Sequence, residues 1–159
     1  MDKVGLDLIK SSFHGDQVHS HVFVVFGASG DLARKKIYPT LWWLYRDHLL
    51  PKKTFFIGYA RSEITVDVIR EKSSPYMDVD KEKVDEMKRF DDFWEKNTYI
   101  KGSYTETKDF AALDQVITSN YGDLVNRIFY LALPPSTYVS VTSHLAKCCK
   151  SHQCVSIFL

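Results

Sequence analysis

Five short apolar runs alternate with segments of helical spacing along this chain. That alternation restricts it to a parallel sheet covered by helices on both faces. The runs are His21–Phe26, Thr54–Gly58, Thr98–Lys101, Arg127–Leu133 and Val155–Leu159. The first is apolar at successive positions, as a strand buried on both sides must be. Between the first two, Leu32, Ile37, Leu41, Leu44 and Tyr45 recur at helical spacing from Asp31 to about Leu50, and Pro39 predicts a kink or break. Thr65 caps a helix carrying Val66, Val68 and Ile69, which Ser73-Ser74-Pro75 interrupts. Asp80 precedes a charged helix with Val84, Met87, Phe90, Phe93 and Trp94 on one stripe. A further helix follows Thr107 with Phe110, Leu113, Val116 and Ile117 inward, and stops near Asn120 and Gly122. The last carries Tyr138, Val141, Leu145 and Cys148. With right-handed crossovers the expected class is α/β, a doubly wound parallel sheet over 21–159, behind a flexible leader at 1–20.

In such sheets ligands bind beyond the carboxyl ends of the strands. Gly27-Ala28-Ser29-Gly30-Asp31-Leu32-Ala33-Arg34 follows the first strand at once and opens the first helix. Gly27 permits a tight turn, Gly30 lets the backbone approach closely, and the free amides at the helix start face an anion. The loop departs from G-x-G-x-x-G, with Ser29 in the middle glycine's place and Ala33 in the last, and no Gly-Lys-Ser/Thr follows as in a Walker loop. Its setting between strand and helix favours a nucleotide site in a Rossmann-like domain over a plain turn.

The end of the second strand names the nucleotide. An acid there holds the ribose hydroxyl of NAD, and an arginine accepts the 2′-phosphate of NADP. The chain reads Gly58-Tyr-Ala-Arg61-Ser62, with Glu63 only after them, so the expected coenzyme is NADP. Past the fourth strand, Pro134-Pro135 shapes a rigid rim, and Tyr138 is placed to offer its ring to the coenzyme. Read alone, a tyrosine such as Tyr138 is more often a helix core residue.

Twenty-one Lys and Arg against twenty Asp and Glu leave a net charge of +1, unlike the strong basic excess of a general nucleic-acid binder. The apolar runs are far shorter than the roughly 20 residues of a membrane helix. The first fifteen residues mix charges with isolated apolars, unlike a secretory signal, so a cytoplasmic setting is expected. Cys148, Cys149 and Cys154 lack the spacing of a zinc site and read as reduced thiols; no metal is expected.

Together these segments resemble the amino-terminal coenzyme domain of the glucose-6-phosphate dehydrogenase family. The stretch Gly27-Ala-Ser-Gly-Asp-Leu-Ala-Arg-Lys-Lys-Ile-Tyr-Pro-Thr-Leu-Trp-Trp-Leu44 carries the resemblance, with Gly58–Ser62 and Phe129–Pro135 as later landmarks in the same order. The resemblance implies that residues 27–34 hold the NADP phosphates, Arg61 the 2′-phosphate, and that Tyr138 lines the crevice. It implies that Trp42 and Trp43 serve the fold. The family oxidises glucose 6-phosphate to a lactone in the pentose phosphate pathway, a histidine base removing the C1 hydroxyl proton while NADP accepts hydride. Its Glu-Lys-Pro-x-Gly and Asp-His-Tyr-Leu-Gly-Lys motifs do not occur among these 159 residues. None of the six histidines precedes Tyr-Leu-Gly, so no catalytic residue is assigned. His48 is expected to end the first helix as a solvated or capping residue. The expectation is a truncated or alternatively spliced chain without the substrate domain, catalytically incomplete. An alternative is a non-catalytic partner of the full-length enzyme; an unstable product with an exposed final strand is a third reading.

Overall fold

A computed structural model describes residues 19–150 and 156–159, for the last segment without the side chains of Ile157 and Phe158. The expected leader lies almost wholly outside the described residues, as does Cys154. Strands β1 (Ser20–Phe26), β2 (Thr54–Ala60), β3 (Asn97–Lys101), β4 (Val125–Leu131) and β5 (Ser156–Phe158) form one sheet in the order β3-β2-β1-β4-β5. Every pairing is parallel. The chain runs outward from β1 to β3 and then returns to place β4 against the other side of β1. The order therefore reverses between β1 and β4, and the crevice where such folds take ligands opens at their carboxyl ends.

Alternation along the strands sends side chains to two cores. Val22, Val24, Phe26, Ile57, Tyr59, Phe129 and Leu131 face helices α4 (Thr107–Tyr121) and α5 (Tyr138–Cys148), which contribute Phe110, Leu113, Ile117, Val141 and Leu145. Val25 and Phe56 face the other way, toward α1 (Tyr38–Arg46), α2 (Val66–Ser73) and α3 (Val84–Glu95). There Trp42 meets Phe90 and Phe93 edge-on, with ring centroids 5.0 and 5.8 Å apart. The doubly wound α/β sheet expected from the alternation is the fold.

The first helix is broken as Pro39 predicts, by a change of helical type. After Asp31 and Leu32 the chain makes a π-helical stretch, Ala33–Ile37, and the Tyr38 amide donates to the Ala33 carbonyl five residues back. Pro39, which has no N–H to give to the preceding turn, then follows as the second residue of α1. His48 does cap this helix: it takes a left-handed φ of 57°, and the Leu49 amide donates to the Leu44 carbonyl. Thr65 caps α2 by accepting from the Val68 amide. Gly122, at φ 84°, ends α4. One expectation needs correction. Val84 is 81% exposed, because α3 begins at this residue and its first turn overhangs the core. Asp80 precedes α3 as expected, and its carboxylate accepts from the Glu82 amide and pairs with the Lys83 side chain ahead of the helix. Trp42 is buried, whereas Trp43 is 40% exposed and anchors its indole N–H on the Met77 carbonyl.

Candidate functional site

At the carboxyl end of β1 the loop is clamped between its two neighbours. The Gly27 and Ala28 amides donate to the Tyr59 carbonyl on β2, at 2.9 and 3.3 Å, while the Ala132 amide beyond β4 donates to Phe26. Gly27 has a φ of 80°, and a Cβ on it would lie 2.2 Å from the Ala132 carbonyl oxygen. Only glycine fits that turn. The Gly30 amide closes it onto the Gly27 carbonyl at 2.9 Å. The amides of Asp31 and Leu32, starting the helix, have no backbone acceptor among the described residues. They are the donors that an anion would meet. Asp31 itself turns to Arg34 and Lys35, at 2.6 and 3.0 Å, so its carboxylate is matched by two cations. Leu32 is half exposed and Ala33 is buried.

The end of β2 joins this loop from the side. The Ser62 hydroxyl lies 3.4 Å from that of Ser29, across 33 residues of sequence. The Tyr99 hydroxyl, next door on β3, donates to the Ser62 carbonyl at 2.5 Å and fixes where the chain leaves the strand. Burial pushes the Tyr99 phenol up to about 12, so it remains a donor at neutral pH. Arg61 sits over the ring of Tyr104, its guanidinium carbon 5.4 Å from the centroid. Glu63, the nearest acid in sequence, is instead paired with Lys101 at 3.0 Å. The site rim thus presents a guanidinium and two hydroxyls where an NAD site would present a carboxylate.

Tyr104 is a site residue that the sequence reading missed. Its ring is buried against Phe26 and Tyr59, and burial raises its phenol while Arg61 and the Gly27 backbone pull it the other way. The signal was an aromatic two residues after Gly102, where β3 ends. A Cβ at Gly102 would meet the Tyr59 hydroxyl at 2.1 Å, and that hydroxyl donates to the Ser103 carbonyl, which sets the path to Tyr104.

The third segment stands apart. Pro135–Thr137 forms a short 3₁₀ turn, and Tyr138 heads α5 with 39% of its surface exposed. Tyr138 makes no hydrogen bond or ring contact to the glycine loop among the described residues. The structure brings Ser29 of the loop together with Ser62, next to Arg61, and shows no contact between Tyr138 and these residues. A cavity of about 120 Å³ opens beside the loop, lined in part by Ser29, Arg34, Ser62 and Lys72. Larger cavities, about 390 and 280 Å³, lie around Arg46 and Lys83 and around His48 and Lys52. They sit away from the strand ends and mix cations with Asp85, Glu86 and Asp92, so size does not locate the site. Among the described residues no helix is long and apolar enough to cross a membrane.

Comparison with known proteins points the same way. Residues 24–157 match the family model described as glucose-6-phosphate dehydrogenase, NAD binding domain. The glucose-6-phosphate 1-dehydrogenase of Ceratitis capitata is 51% identical over 138 residues, covering 86% of this chain and 26% of that protein. The one of Drosophila melanogaster is 48% identical over 161 residues, covering 94% and 30%. A solved glucose-6-phosphate dehydrogenase in complex with glucose 6-phosphate superposes with a TM-score of 0.79 at 31% identity, over 88% of this chain and 30% of that one. The Mycobacterium avium enzyme gives 0.70 at 27%, over 88% and 29%. The chain spans under a third of the length of these relatives.

Proposed function

Since this chain belongs to the glucose-6-phosphate dehydrogenase family through the coenzyme-binding domain, we propose that it binds NADP and serves as the coenzyme-holding part of glucose 6-phosphate oxidation. The observation that carries this is the meeting of the Ser29 and Ser62 hydroxyls at 3.4 Å, which joins the loop of the Gly27 turn to the chain carrying Arg61. In this reading the amides of Asp31 and Leu32 take the pyrophosphate, and Arg61 with the two hydroxyls takes the 2′-phosphate. The Tyr104 ring and the Arg61 plane offer a stacking surface for the adenine. Tyr138 lines the nicotinamide side of the crevice. NADP, when bound, would accept the hydride from the sugar; these residues hold and orient it.

Calorimetric titration of the 159-residue chain with NADP and NAD tests the reading. NADP should bind at least about tenfold more tightly, since one charge-assisted contact separates the two. Equal affinities would refute it. Added glucose 6-phosphate should give little or no NADPH, because none of these site residues has the role of a base; robust turnover would show that the catalytic group had been misplaced. The reading includes a cytoplasmic setting, supported by Cys149, a buried thiol that donates to the Phe110 carbonyl. Association with a full-length family member is a second reading. It is favoured by β5, which among the described residues pairs with β4 alone and leaves its other side as a sheet edge. Failure to co-purify with a tagged full-length enzyme would end it.

A further inference from the structure

Arg61 rests on Tyr104, and Tyr104 is tied to a helix that enters the coenzyme reading only through its first residue, Tyr138. Tyr104 lies in the irregular link between β3 and α4. Three hydrogen bonds fix the start of that link. The Gly102 amide donates to the Ala60 carbonyl at 2.9 Å, the Tyr59 hydroxyl to the Ser103 carbonyl at 2.7 Å, and the Ser103 amide to the Asp109 carboxylate at 2.8 Å. The Tyr104 main chain itself has one hydrogen bond among the described residues: its carbonyl accepts from the Ser140 hydroxyl of α5 at 3.2 Å. Hydroxyls inside helices commonly turn back to a carbonyl three or four residues earlier. Thr142 does so, to Tyr138 at 2.7 Å. Ser140 instead crosses 36 positions of sequence. Its helix is firmly seated: Val141 and Leu145 are wholly buried in the core beside Phe110, and the His144 ring stacks on Phe110 with centroids 4.8 Å apart.

The ring of Tyr104 packs with those of Phe26 and Tyr59, with centroids 6.5 and 6.1 Å away, and carries the Arg61 guanidinium at 5.4 Å. Where the main chain of Tyr104 sits therefore sets where the guanidinium finds its aromatic face. We propose that Ser140 is a positioning residue for coenzyme choice: its hydrogen bond to the Tyr104 carbonyl holds the ring on which Arg61 lies, and so holds the guanidinium ready for the 2′-phosphate of NADP. Ser140 acts through Tyr104 rather than by touching the coenzyme. An arginine already ordered loses less rotamer freedom on binding, so the tether adds to NADP affinity without adding a contact. NAD, which has no 2′-phosphate, gains little from it. The effect on coenzyme choice rests on the NADP reading; the Ser140–Tyr104–Arg61 linkage does not.

Calorimetry gives the NADP and NAD affinities of the 159-residue chain and of its Ser140→Ala, Ser140→Val and Ser140→Thr variants. NMR follows the Arg61 side-chain resonances, which the Tyr104 ring shifts. Valine has the shape of threonine without its hydroxyl, so that pair separates the hydrogen bond from packing. The ratio of NADP to NAD affinity should fall by about three- to tenfold in Ser140→Ala and Ser140→Val, the worth of one neutral hydrogen bond, and hold in Ser140→Thr. The Arg61 resonances should move toward those of an unstacked arginine in the first two and hold in the third. A merely structural loss would lower the melting temperature or both affinities together and leave the ratio unmoved. An unchanged ratio in Ser140→Ala and Ser140→Val overturns the proposal, and so does a Ser140→Thr variant that behaves like Ser140→Val. If the unsubstituted chain binds NADP no better than NAD, the coenzyme reading fails instead. The Arg61 resonances alone then decide the linkage, and if unmoved they overturn it too.

Discussion

The guanidinium of Arg61 lies over the ring of Tyr104, so the cation at the end of β2 is held by an aromatic face, with no carboxylate paired to it among the described residues. Such stacking is worth only about 0.5–1 kcal/mol at an exposed site, and it leaves all five N–H donors available. Arg61→Ala is expected to weaken NADP by about ten- to a hundredfold, roughly 1.5–3 kcal/mol, and NAD far less. Parallel titrations decide it: the same loss for both coenzymes would remove Arg61 from the 2′-phosphate.

Gly27→Ala should damage fold and binding together. The new methyl would press on the Ala132 backbone at 2.2 Å and sit at a φ of 80°, so neither clash nor strain can relax through a side chain. The expected destabilisation is at least roughly 2 kcal/mol. For a chain of this size that lowers the melting temperature by about 4–8 °C. An unchanged melt with full NADP affinity would contradict the clamped geometry.

Arg127, on β4, is 3% exposed and binds both the Asp114 carboxylate at 2.5 Å and the Cys149 carbonyl at 2.7 Å. It ties α4 and the end of α5 to the sheet. Asp114→Ala leaves a buried cation uncompensated and should cost about 3 kcal/mol; Arg127→Met, which removes the charge and keeps the volume, should cost less. Urea denaturation of the two variants gives the order, and the reverse order would falsify the assignment.

Stability should fall in alkali. Burial pushes the Cys149 thiol and the Tyr99 phenol up to about 12, and raises Tyr38 and Tyr59 as well, from ordinary values of 9.0 and 10.0. Groups held neutral in the fold bind their protons more tightly there than in the unfolded chain. Their contribution is complete below about pH 9 and is lost as pH rises toward about 12. Ionised Tyr99 could no longer donate to Ser62, so the site should loosen in the same window. Denaturant midpoints measured across it should drop steadily, and a flat profile would show that these side chains reach solvent.

The strands, the order of elements and the glycine loop were legible because each rests on local pattern: runs buried on both faces, helical spacing, and a glycine between strand and helix. Arg61 was legible because the fold specifies the position before the residue is known. Tyr104 and Ser140 were not. Each belongs to the site through a neighbour distant in sequence, and no spacing rule links residue 61 to residue 104 or residue 104 to residue 140. Val84 misled for the opposite reason: it keeps the stripe's rhythm at a helix start that nothing covers. Arg127 reads as an ordinary strand residue until Asp114 and Cys149 surround it.

The π-helical stretch at Ala33–Ile37 separates two jobs that a uniform helix would lock together. Each residue of an α-helix turns the next by about 100°. The wider stretch therefore resets the angular phase between the turn that faces the crevice and the turn that packs Leu41 and Trp42 into the core. Removing one residue there to restore regular pitch would swing Trp42 by about 100° out of its pocket, or, with Trp42 kept in place, swing Asp31 and Arg34 away from the loop. The extra width is what lets the same helix serve an anion at one end and an aromatic core at the other.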